Sequence, residues 1–177
     1  MLKWIIKKRL DVFERGFDYD ATYLRELLAT DVGAVMAFAK ATGALKYRKD
    51  IPVDAHYAAK LIGTMHEDCG PCTQLNVTMA EREGVPHATI AAIIAGDDAA
   101  MPEHVRLVAQ FSRAALAHDL AADPLREAIV ERWGPRALAS IAMALCAARM
   151  FPTMKYALGH GHACSRIHVG QRVVAPA

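Results

Sequence analysis

The sequence predicts an all-α protein, and three observations carry that reading. Alanine is the commonest residue, apolar residues recur at three- and four-residue spacings, and alternating β-branched runs are almost absent. At 177 residues the chain fits one domain, long enough to bury a core without disulfide support.

Residues 1–19 read as an N-terminal amphipathic helix in which Trp4, Ile5, Leu10, Phe13 and Phe17 form an apolar stripe. Such stripes usually face a core, so docking on the protein's own core or on a second subunit is expected in preference to an acidic membrane. The uninterrupted apolar run there is only Trp4-Ile5-Ile6, too short for a signal-peptide core or a membrane span, and a cytoplasmic setting with no membrane partner is expected.

Asp18 or Asp20 then caps a long helix predicted from about Ala21 to Gly43, with Leu24, Leu27, Leu28, Val32, Val35, Phe38 and Ala39 towards the core. Lys46 to Ile51 is a polar connection. Pro52 opens a helix whose Ala55, Ala58, Ala59, Ile62 and Met65 make a narrow stripe that admits another helix closely. Leu75, Met79 and Ala80 continue a further helix that Gly84 ends, and Pro86 starts a short apolar one reaching Gly96.

Pro102 or Glu103 begins a helix to about His118. Asp123-Pro124 reads as a cap and first helical residue, with the helix stopping at Gly134. Pro135 begins a long apolar helix to about Met150 that Pro152 kinks or interrupts before Met154 to Leu158. Cys146, inside its run from Ile141 to Met150, reads as a packed core residue. The tail 159–177 is less regular, with an extended stretch from Arg166 to Val174.

The formal charge of +2 is spread over 21 basic and 19 acidic residues with no long like-charge block. A nucleic-acid partner is therefore not expected.

The segment Cys69-Gly70-Pro71-Cys72 is the most informative feature. On a helical turn residues i and i+3 share a face about 5–6 Å apart, the separation a disulfide needs. Gly70 and Pro71 suit a first helical turn, which sets Cys69 at a helix N-terminus where free N–H groups and the dipole favour a thiolate. A reversible redox dithiol is the leading reading, beside half of a zinc site or two inert buried thiols. A zinc ribbon would need a second Cys-x-x-Cys, which the sequence lacks.

A dithiol between two helices of an Ala-rich helical chain resembles the carboxymuconolactone decarboxylase family, in particular its alkylhydroperoxidase D-like branch. The likeness is carried by about Pro52 to Gly96 and elsewhere only by helical layout. It implies an alkylhydroperoxidase D-like helical domain, a peroxide or disulfide substrate, an external dithiol reductant, no cofactor and a homo-oligomer. It further implies that Cys72 attacks and Cys69 resolves, whereas the dipole argument alone favours Cys69.

That branch carries a His four residues after the second Cys and a Glu about twelve before the first. Here those positions are Asn76, which cannot take a proton, and Tyr57, a poor base near neutral pH. Glu67 and then His66 are the expected substitutes because they precede Cys69 by two and three residues, and His56 adjoins the Tyr57 position. Asn76 is expected to orient a substrate or water, and Tyr57 to donate a hydrogen bond.

Three competing readings follow. Cys-Gly-Pro-Cys is the thioredoxin active-site sequence and Phe151-Pro152-Thr153 is loosely similar to its Pro loop, but a thioredoxin dithiol follows a buried strand, whereas Tyr57 to Glu67 has helical spacing. His160, His162, Cys164 and His168 crowd the tail and suggest a metal-binding module. A scaffold with little turnover is the third.

Overall fold

The structure is a computed structural model and describes residues 1–162 and 166–177. Among the described residues the elements are α1 (Leu2–Phe17), α2 (Thr22–Thr30), α3 (Val32–Thr42), a 3-10 turn (Gly43–Lys46), α4 (Val53–His66), α5 (Gly70–Arg82), α6 (His87–Ala95), α7 (Glu103–Leu116), α8 (Ala122–Trp133), α9 (Pro135–Ala157), β1 (Ile167–Val169) and β2 (Arg172–Val174). The all-α expectation therefore holds with one addition: the extended tail forms an antiparallel hairpin pairing Ile167 with Val174 and Val169 with Arg172. Gly170, at φ 55°, supplies the turn.

Helix α4 is the axis of the fold. Ala55 through Thr64 are all buried, and the helix packs against α5, α6, α7 and α9. Small residues allow this crowding. A Cβ on Gly63 would lie 3.1 Å from the Ala148 methyl and 3.3 Å from the Leu145 carbonyl, so α4 and α9 approach almost to backbone contact. The main core gathers Leu61, Ile62, Val77, Ile90, Ile93, Val105, Phe111, Ile129 and Ile141 around it. A second cluster of Tyr19, Ala21 and Tyr23, flanked by Leu10, Phe13, Phe17, Leu75 and Phe151, ties the N-terminal segment to α5 and α9.

Several boundaries differ from expectation for identifiable reasons. The helix expected from Ala21 to Gly43 breaks at Asp31, whose extended backbone lets its carboxylate accept from Gly33 N–H and Ala34 N–H and so cap α3. Asp18 closes α1 in the left-handed conformation at φ 47°, while Asp20 accepts from Thr22 N–H at the start of α2. Helix α7 stops at Leu116, just short of His118, which turns the chain at φ 56°. Helix α8 starts at Ala122, so Asp123 and Pro124 fall in its first turn, where a missing N–H costs nothing.

Pro152 does not interrupt α9, which continues to Ala157 with Pro152 buried. The packing of Phe151 and Met154 against the Tyr19 cluster holds the last turns despite the lost hydrogen bond. Cys146 is exposed rather than packed, because Ala144, Leu145, Ala147 and Ala148 take the inward positions. The α1 stripe is only half docked: Phe13 and Phe17 pack beside Tyr19, whereas Trp4 remains 64% exposed. Helix α9 is long and apolar enough to cross a membrane by length and composition, and one side of it, including Ala137, Ile141, Ala144 and Ala148, is buried inside the fold.

Candidate functional site at the Cys69–Cys72 pair

Asp68 takes φ 49° and turns the chain from α4 into α5, with Cys69 as the N-cap residue. Pro71 occupies the first turn, as its missing donor predicts. The two cysteines form a disulfide across 5.3 Å of Cα separation. Cys69 Sγ also accepts from Cys72 N–H at 3.3 Å, the place an N-cap oxygen normally fills. Both residues are buried, Cys69 completely.

The surroundings of the pair are mostly hydrogen-bonding and uncharged. Thr73 Oγ1 donates to the Cys69 carbonyl at 3.0 Å and lies 3.2 Å from Thr64 Oγ1, joining the ends of α4 and α5. Gly70 N–H donates to the His162 carbonyl at 3.2 Å, and Tyr156 Oη donates to the Asp68 carbonyl at 2.8 Å. Two residues beyond Cys72, Gln74 exchanges hydrogen bonds with His168 N–H and its carbonyl, docking β1 on α5. The Tyr19 hydroxyl sits 4.0 Å from Cys72 Sγ, and Lys155 Nζ lies 4.7 Å from the Tyr19 ring and 5.3 Å from the Tyr23 ring.

Neither Glu67 and His66, expected to take a proton, nor Tyr57 and Asn76, expected to donate a hydrogen bond and to orient a substrate or water, makes a side-chain hydrogen bond to either sulfur among the described residues. Glu67 accepts from Arg149 Nε at 2.5 Å and faces α9. His66 is exposed and lines a separate cavity of about 380 Å³ with Ile62, Met65, Ile93 and Arg113. Tyr57 donates to Glu83 at 2.7 Å at the far end of α5, and burial followed by that hydrogen bond pushes its hydroxyl pKa well above the ordinary value. Asn76 Nδ2 donates to the Cys72 carbonyl at 3.1 Å, a bond within its own helix that leaves the sulfur untouched. His56 is buried beside Tyr57 rather than beside the thiols.

Tyr19 and Lys155 were not legible as site residues. Tyr19 lies in a connection outside any motif, and Lys155 offered one signal, a cation about one helical turn after Phe151 and Pro152 in an apolar helix. Burial lowers the Lys155 pKa and Asp20 opposes it, while burial raises that of Tyr19 and keeps it a proton donor.

The tail histidines are dispersed. His160 Nε2 pairs with Glu26 at 2.8 Å, His168 is exposed, and Cys164 lies outside the described residues. Among the described residues, no group of three or more His, Cys, Asp or Glu side chains is placed to hold a metal ion. The dithiol also follows helix α4 rather than a strand, unlike the thioredoxin arrangement.

The fold and site together define a mostly helical protein with a buried disulfide at a helix N-terminus. The chain matches no protein-family model, no curated protein and no solved structure.

Proposed function

We propose that this protein is a thiol oxidoreductase of the alkylhydroperoxidase D-like type, reducing a peroxide with the Cys69/Cys72 dithiol. The supporting observation is the placement of two sulfurs within bonding reach at the start of α5, so the pair can open and close with little backbone movement. The Cys72 thiolate attacks one peroxide oxygen, the O–O bond breaks, and the departing alkoxide takes up the proton that Cys72 released. The resulting sulfenic acid condenses with the Cys69 thiol, forming the disulfide and expelling water. An external dithiol returns two electrons and two protons by thiol–disulfide exchange. A cytoplasmic setting suits this cycle because it keeps the reductant pool in the thiol state.

The same reading makes the protein a homo-oligomer. Trp4 and Val12 on α1, Met36 on α3 and Met143 on α9 are exposed and supply apolar surface for a second copy.

The test is to mix reduced protein with one equivalent of an organic hydroperoxide, following peroxide loss and Cys69–Cys72 disulfide formation by peptide mass spectrometry. Stoichiometric conversion much faster than that of a model thiol, abolished in Cys72→Ser, is the expected result. Oxidation no faster than the model thiol refutes the peroxidase reading. Analytical ultracentrifugation tests the assembly, and a monomer at micromolar concentration refutes that part.

A further inference from the structure

Resting on the dithiol reading, we propose that Tyr19 and Lys155 stabilise the Cys72 thiolate: the Tyr19 hydroxyl donates to the sulfur, and the Lys155 ammonium behind the tyrosine ring supplies the positive field.

A reactive thiol must ionise, and burial in apolar surroundings opposes ionisation. Cys72 is only 2% exposed, so something must offset that penalty. The N-terminal N–H of α5 serves the other sulfur, since Cys72 N–H points to Cys69 Sγ. Glu67 and Tyr57 are committed to Arg149 and Glu83, and Asn76 bonds backbone. The Tyr19 hydroxyl, by contrast, is placed 4.0 Å from Cys72 Sγ.

Lys155 supplies the second part. It is 2% exposed, and its ammonium lies over the faces of Tyr19 and Tyr23. An aromatic face attracts an ammonium without neutralising it, so the cation's field extends through the tyrosine towards the sulfur. The Tyr23 hydroxyl is buried with no partner at ordinary hydrogen-bond geometry among the described residues, and it faces the Tyr19 hydroxyl closely enough for each to act on the other's pKa.

The other titratable groups facing this assembly are Asp20, which acts on both Lys155 and Tyr19, and beyond it His160 paired with Glu26. From α5 the neighbours are Cys69 and the uncharged Thr73. Burial lowers the Lys155 pKa and the Asp20 carboxylate opposes that shift; with Lys155 protonated, the arrangement presents one hydroxyl donor and one cation to Cys72. Helix α9 and the α1–α2 connection thereby supply what the helix hairpin carrying the cysteines lacks.

The experiment measures iodoacetamide alkylation of Cys72 against pH in reduced protein on a Cys69→Ser background, resolved by peptide mass spectrometry. The midpoint is expected below the ordinary thiol value of about 8.5. Tyr19→Phe keeps the ring and removes only the donor, and is expected to raise the midpoint by about one pH unit. At pH 7 that corresponds to a roughly threefold to tenfold smaller thiolate fraction, depending on how far the parent midpoint lies below 8.5. Lys155→Met is expected to raise it similarly and Lys155→Arg to restore it. A Tyr19→Phe profile that overlays the parent overturns the proposal, whether or not the lysine variants fold. Failure of reduced wild-type protein to form its disulfide with peroxide would instead refute the peroxidase reading, so the two failures are separable.

Discussion

Lowering the pH from 7 to 5 should weaken the fold through one residue, His56. Its side chain is 1% exposed, and neither ring nitrogen has a hydrogen-bond partner of ordinary geometry among the described residues. Burial, then the nearby Lys60 and Arg48 cations, lower its pKa from 6.5 to about 4, while the Leu45 backbone and Glu83 pull the other way by less. Folded protein therefore holds His56 neutral where unfolded chain already binds a proton.

The stabilisation from this neutral histidine is fully present above pH 6.5 and is lost as pH falls towards 4. Linkage between those two values gives a loss of about 2 kcal/mol at pH 5 and about 3 kcal/mol below pH 4. Asp11 and Glu14 do not interfere in this window. Their pKa values are held down chiefly by the Arg25 hydrogen bonds, so their contribution persists above the ordinary carboxylate range and fades only at lower pH. Urea unfolding of the oxidised protein at pH 7, 6 and 5 reads the effect directly. In His56→Leu, which removes the titrating group and leaves an apolar side chain, the pH 7 to 5 loss should shrink by about 2 kcal/mol. Equal losses in the parent and the variant would refute the reasoning.

Three further outcomes follow from the geometry. Glu67→Gln should leave the peroxide reaction within about twofold, because a carboxylate held by Arg149 does not reach the thiols; a loss greater than tenfold in stopped-flow peroxide consumption would make Glu67 the base after all. Asp31→Ala should destabilise the protein by about 1 kcal/mol in urea, with Asp31→Ser recovering most of it; no change would mean that the α3 cap carries no net energy. Gly63→Leu should cost about 2 kcal/mol or more by wedging α4 from Ala148 and Leu145, and an unchanged thermal midpoint would contradict the close approach of these helices.

Much of the helical framework was legible because its signals are local. Pro52, Pro86 and Gly96 fall at the ends of α4 and α6 as punctuation predicts, since Pro lacks a donor and Gly tolerates the left-handed turn. Asp31 was missed because one side-chain cap outcompeted an apolar pattern that ran on at helical spacing through it. Of the two outcomes expected at Pro152, a kink or an interruption, the interruption does not occur, as tertiary packing carried α9 past a residue that would end an isolated helix. The exposed Cys146 was misplaced because α9 is apolar around much of its circumference, leaving periodicity unable to say which side meets α4.

The sequence by itself determined the predominance of helix, the start of α5 at Gly70 and the closeness of Cys69 to Cys72, all of which follow from spacing and chain stiffness over a few residues. Tertiary structure alone decided which groups surround the sulfurs. Tyr19 reaches Cys72 across 53 positions, and Lys155 reaches Tyr19 only because α9 packs over the α1–α2 connection. Glu67 and His66, adjacent in sequence to the pair, were turned elsewhere by the end of α4. Proximity along the chain limits the possible contacts, but the direction in which each side chain leaves its helix selects among them.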